Sequence, residues 1–138
     1  MRRIYVDAAH YVAIFDDHDD LHDLAVAVLR ELYAEGGVEF VTSDVVLAEV
    51  LTHFSRFGAR DRRAAADFVR RTRDDRKVRI VHFSKELFES ALVHYEARAD
   101  KAYSFNDCCS MVICRDLKIL EVLTHDHDFE QEGLQILL

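Results

Sequence analysis

Residues Asp100–Phe129 read DKAYSFNDCCSMVICRDLKILEVLTHDHDF. Ser104 or Asn106 can cap a helix that opens with Asp107 and buries Met111, Val112 and Cys114 along one side. The short apolar run Glu121–Thr124 then reads as a strand, and it leads directly into a second carboxylate, Asp126. A helix that starts at an acid and a strand that ends at one can bring those acids together at one edge of a parallel sheet, where strand ends and helix amino termini converge.

Upstream, the same alternation recurs. Arg3 to Asp7 is short, β-branched and aromatic, as a strand buried on both faces requires, and Asp7 stands at its carboxyl end. Tyr11 to Phe15 begins a helical or turn segment, and Asp16–Asp20 (DDHDD) is a loop. Leu21, Leu24, Ala25, Val28, Leu29 and Leu32 repeat at helical spacing behind Asp19 or Asp20 as cap, and Gly36-Gly37 stops that helix.

Val38–Val41 is the second strand. Thr42 or Ser43 caps a helix containing Val46, Glu49, Val50 and His53, which Gly58 ends, and Arg60 to about Asp74 forms another with Ala65, Phe68 and Val69 inward. Val78–Phe83 is the third strand. Ser84 caps a helix whose core face is Leu87, Phe88, Ala91, Leu92 and Tyr95, and Leu134–Leu137 is a fifth, edge strand. Strands alternating with helices define a three-layer α/β/α fold with a mostly parallel sheet of about five strands. With no proline, repeat or linker, residues 1–138 form a single domain.

Composition narrows the class. Half of the 138 residues are hydrophobic and spread along the whole length, which excludes disorder. Asp7 and His10 interrupt the amino-terminal apolar stretch far short of the roughly 20 residues a membrane span needs, so a cytoplasmic chain is expected, with no membrane partner. Cys108, Cys109 and Cys114 fall on one helix, where adjacent positions point about 100° apart, and they lack C-x-x-C spacing; buried thiols are expected rather than a disulfide or zinc.

The formal net charge of −8 is the wrong sign for wholesale attraction to nucleic acid. From Arg56 to Arg79, however, ten basic residues face four acids. That run is either a solvated helix face or a surface that takes phosphate, with Arg62, Arg63, Arg70 and Arg71 the candidates for RNA contact.

The acids carry the chemistry. Carboxylates held within a few ångströms repel one another unless a cation sits between them. Oxygen-only ligands suit Mg²⁺ or Mn²⁺, and such a site supports phosphodiester hydrolysis. Glu49, among apolar neighbours, is either a rim residue reaching water or a fourth member of the set. The HDHD of His125–Asp128 could hold a metal by itself, but alternation puts its histidines and aspartates on opposite sides, so only part of it can face one ion. There is no glycine-rich phosphate loop followed by lysine and no G-x-S-x-G elbow.

At DKAYSFNDCCS and LTHDHDFEQEG, at the opening strand ending in V-D, and at the helix with its single Glu, the chain resembles PIN-domain nucleases, and in particular the VapC-type toxins of toxin–antitoxin pairs. Nearly the whole length is covered. The resemblance implies that Asp7, Glu49, Asp107 and Asp126 bind the metal, that Mg²⁺ or Mn²⁺ is the cofactor, and that the reaction is endonucleolytic RNA cleavage. It further implies a homodimer and a small antitoxin partner that blocks the site, with Ser104 and Thr124 supporting the acids by hydrogen bonds. Asp128 stands where relatives often have His, and Ala8 and Ala9 where many have Ser or Thr. Two other functions fit the same pattern: a PIN-like RNA-binding or interaction module without useful hydrolysis, and a housekeeping RNA-processing nuclease.

Overall fold

The computed structural model describes Met1–Leu138. Five strands, β1 (Arg2–Val6), β2 (Val38–Ser43), β3 (Val78–Val81), β4 (Glu121–Leu123) and β5 (Gln135–Ile136), form one sheet in the order β3-β2-β1-β4-β5. All four pairings are parallel, in agreement with the expected architecture. Ile4, Tyr5 and Val6 are buried in succession, as the central strand of a sheet covered on both faces must be.

The helices are α1 (Ala8–Phe15), α2 (His22–Glu35), α3 (Asp44–Phe54), α4 (Ala59–Asp74), α5 (Lys85–Ala97) and α6 (Phe105–Leu117). Strand order reverses at β1, whose two neighbours are β2 and β4. The crevice outside the carboxyl ends of β1 and β4 is therefore a topological switch point, the place where open α/β sheets bind ligands.

Local chemistry sets most boundaries. Ser43 and Ser84 accept from Val46 N–H and Leu87 N–H at the starts of α3 and α5. Ser104 and Asp107 form a reciprocal capping box that fixes the start of α6. Three details differ from the sequence expectation. Leu21, not an aspartate, occupies the cap position of α2, because Asp19 is spent on a turn in which its Oδ1 accepts from Leu21 N–H. Gly58, with φ at +93°, starts α4 instead of ending α3, which stops at Phe54.

The third is on α5. Leu87, Ala91 and His94 are buried, whereas Phe88, Leu92 and Tyr95 are 41%, 43% and 51% exposed. The apolar surface of α5 is wider than the line that packs on α6, so three of the five expected core residues are left on the outside. The three cysteines are free and buried in the core with Met111, Val112 and Ile113. No helix is long and apolar enough to cross a membrane.

Candidate metal centre

Asp7 is the first residue beyond β1. Its backbone N–H donates to Leu123 O of β4 at 3.1 Å, which holds the end of β1 against the end of β4. Thr124, fully buried one residue past β4, bridges two of the acids: its Oγ1 donates to Asp7 Oδ2 at 3.0 Å and accepts from Asp126 N–H at 3.1 Å. Asp107 enters from α6, its carboxylate oriented by Ser104 N–H at 3.1 Å. Glu49 sits one and a half turns into α3, half-buried among Val46 and Val50.

Beneath them, Tyr5 ties together the three elements that carry Asp7, Glu49 and Asp107. Its buried hydroxyl lies 2.8 Å from Ser110 Oγ on α6 and 3.2 Å from Ser43 Oγ at the cap of α3.

The structure adds one residue to the sequence candidates. One carboxylate oxygen from each of Asp107, Asp126 and Asp128 lies within 4.8 Å of the others. The segment after Asp126 is a short 3-10 helix, His127–Glu132, with Asp126 Oδ1 accepting from Asp128 N–H at 2.9 Å. That turn swings Asp128 inward and leaves His125 and His127 exposed. The alternation in HDHD already separated the aspartates from the histidines, and it was the one sequence signal that could have added Asp128 to the set.

Asp7 and Glu49 stand outside that group of three, but their carboxyls feel its charge. Burial pushes the Asp7 carboxyl up to about 6, with the Asp107 and Asp126 charges adding to it against the Thr124 hydrogen bond. Burial, then the charges of Asp7 and Asp107, push Glu49 up to about 7. Asp107 is also raised, chiefly by burial and then by Asp126, although its capping bonds to Ser104 oppose the shift. None of the five carboxylates takes part in an ion pair with a Lys, Arg or His of the chain. A converging, oxygen-only and uncompensated donor set fits a hard divalent cation.

The basic residues of α4 do not share one location. Arg62 and Arg63 lie in its first turns, where Arg62 Nη1 donates to Ser55 O at the end of α3, the helix that carries Glu49. Arg70 and Arg71 lie near its other end, from which the chain enters β3 four residues after Asp74. Arg70 pairs with Asp67 at 3.2 Å, and Arg71 lines an apolar cavity of about 310 Å³ with Tyr33, Phe40 and Val78. This second pair is thus near the amino edge of β3, away from the edge where the acids gather.

A family profile described as the PIN domain matches residues 4–133. The chain belongs to the PIN-domain family. Members of that family are nucleases. Among solved structures, this PIN domain is similar to Mycobacterium tuberculosis VapC20, described as a sarcin–ricin loop cleaving toxin, at 30% identity over 95% of each chain with a TM-score of 0.79. It shares its fold with FitAcB from Neisseria gonorrhoeae, at 14% identity, 96% and 95% coverage and a TM-score of 0.69. It shares it too with VapBC2 of Rickettsia felis bound to a promoter DNA fragment, at 14% identity, 97% and 96% coverage and a TM-score of 0.64. A search of curated proteins finds no match for this PIN domain.

Proposed function

We propose that this chain, acting as one domain in the cytoplasm, is a divalent-metal-dependent endoribonuclease and the toxin of a type II toxin–antitoxin pair. The observation that carries this reading is the set of uncompensated carboxylates at the switch point, Asp7, Glu49, Asp107 and Asp126, joined by Asp128. These residues would hold Mg²⁺ or Mn²⁺. Such an ion, when bound, activates water and offsets charge developing on the phosphate.

The chain's own part is positioning. Thr124 fixes the relative placement of Asp7 and Asp126, and Ser104 orients Asp107. Asp7 is buried and the other four acids are partly so, which limits the water that screens them and strengthens their field on a cation. Arg62, which bonds Ser55 O at the end of the Glu49 helix, and its neighbour Arg63 would take backbone phosphate, a contact that positions RNA without reading its sequence. Arg70 and Arg71 serve that purpose less directly, because they stand toward the amino edge of the sheet.

The antitoxin partner is supported by the VapBC2 and FitAcB structures that share this fold. A homodimer is supported by the apolar stripe of Phe88, Leu92 and Tyr95 on α5, which stays largely exposed although Phe105 packs against Phe88 and Tyr95.

The direct test is cleavage of a mixed RNA pool that includes ribosomal RNA, by wild-type protein and by Asp7→Ala, with Mg²⁺, Mn²⁺ or EDTA. Metal-dependent cuts that vanish in the variant are the expected result. A folded, partner-free wild-type protein that cuts nothing with either metal would overturn the reading. In the same assay, Glu at both Arg62 and Arg63 should weaken RNA binding by roughly tenfold, consistent with the loss of phosphate contacts. Glu at both Arg70 and Arg71 should cost less.

A further inference from the structure

Next to the carboxylates, α3 and the loop leaving β3 enclose a cleft of about 640 Å³, walled by Asp44, Glu49, Thr52, His53, Phe83 and Asn106. It opens on the metal centre, since Glu49 belongs to both and Asn106 directly precedes Asp107. No Lys or Arg lines it and two carboxylates do, so a phosphate group would be repelled there. The volume lies in the range of small-molecule pockets.

Phe83 is 47% exposed, yet it is not loose. Its backbone N–H donates to Asp44 Oδ2 at 3.1 Å, and His82 Nδ1 lies 3.1 Å from the same oxygen, so the first turn of α3 anchors the loop that presents the ring. His53 is braced in turn by Phe54 and Phe57, with ring centroids at 4.7 and 5.8 Å. Thr52 and Asn106 contribute a hydroxyl and an amide to the wall. Aromatic faces with amide and hydroxyl groups are what single-stranded RNA sites use: the ring stacks on a base, and the polar groups bond to its edge. Phe83 meets Phe88 of the exposed α5 stripe edge-on, with ring centroids 6.0 Å apart, so the cleft borders that stripe; its own wall carries Asp44 and Glu49, which would lose water against an apolar partner.

We infer that this cleft holds one unpaired nucleobase of the RNA beside the linkage that is cut, with Phe83 as the stacking face and Asn106 reading the base edge. The inference rests on the ribonuclease reading, and its test separates the two. Single-stranded ten-nucleotide RNAs of random sequence, each carrying one 2-aminopurine at a varied position, are titrated with full-length wild type, Phe83→Ala and Asn106→Ala, and the cut ends are sequenced.

The wild type should quench the fluorophore at one position. Phe83→Ala should abolish that quenching and weaken binding about tenfold, within the range of base–aromatic stacking. Asn106→Ala should keep the quenching and relax base preference at one position flanking the cut. Mg²⁺ affinity should be unchanged in both variants. Quenching depends on binding alone: a wild type that quenches but does not cut keeps the cleft and overturns the ribonuclease reading. A wild type that cuts but quenches at no position, or a Phe83→Ala protein with unchanged binding and cut preference, overturns the cleft and leaves the ribonuclease. A Phe83→Ala protein that only changes its sedimentation from dimer to monomer assigns the ring to a contact between copies, and the cleft proposal falls.

Discussion

Two groups of acids in this molecule meet opposite fates. Glu132, half-buried behind α5, receives Arg98 Nε and Nη2 at 3.0 and 3.1 Å and Tyr103 OH at 3.0 Å, and His94 Nε2 lies 3.1 Å from its Oε1. Burial works to raise its pKa, but the bonds from Arg98 and Tyr103 outweigh it and hold the carboxyl below its usual range. At the switch point, Asp7, Glu49 and Asp107 also lose water to burial, with no cation of the chain beside them, and all three are raised. A compensated carboxylate is a piece of scaffold. An uncompensated cluster keeps a repulsion that an external cation would relieve.

The largest expected contrast is in activity against stability. Asp126→Asn should reduce RNA cleavage by more than about 100-fold, the loss that even the partners of metal ligands can carry, while its melting temperature stays level or rises as repulsion is relieved. Glu132→Ala should do the reverse, lowering Tm by on the order of 5 °C while the remaining folded protein cuts at nearly the wild-type rate. Thermal melts and initial rates on the same samples decide it. Equal stability loss in both variants would erase the distinction.

Asp128→Asn should lower Mg²⁺ affinity by roughly tenfold in a calorimetric titration. An unchanged affinity would return Asp128 to the rim.

A smaller effect separates the groups by pH. Asp7 and Glu49 titrate near 6 and 7 in the fold and near 4 when unfolded. Between those values the folded chain holds more protons than the unfolded one, so stability falls as the pH rises. Glu132 has the opposite sign: its contribution is present above the unfolded pKa and is lost as the pH falls through the depressed folded value. Buried His10, pushed down to about 4, also has the opposite sign to the cluster below its unfolded value of about 6.5. The expected contrast is therefore between proteins: on going from pH 5 to pH 8, metal-free Glu49→Gln should gain melting temperature relative to wild type, and Mg²⁺ should restore more stability to wild type at pH 8. An equal change in wild type and variant would mean that the cluster does not set it.

Smallest of all is the effect on the support beneath the acids. Tyr5→Phe removes the hydroxyl between Ser43 and Ser110 and should lower Mg²⁺ affinity by about threefold, within the scale expected of partners that hold metal ligands in place. A variant that loses stability but keeps wild-type affinity would make that network purely structural.

The sequence by itself determined the alternation of strands and helices, the cap at Ser84 and the placing of acids at element ends, because these depend on periodicity and on hydrogen bonds spanning three or four residues; it left Thr42 or Ser43 open as the cap of α3 and Ser104 or Asn106 as that of α6, which the structure assigns to Ser43 and Ser104. The tertiary structure alone decided what depends on distance between segments. Thr124 reaches Asp7 across 117 positions of chain only because β4 lies beside β1. Asp128 comes within 4.8 Å of Asp107 because the start of α6 and the end of β4 meet at one edge, and Arg70 and Arg71 part from Arg62 and Arg63 because α4 carries them to the opposite edge of the sheet. Helical spacing shows that Phe88, Leu92 and Tyr95 share a face, but only the packing of α5 on α6 decides that this face lies on the outside.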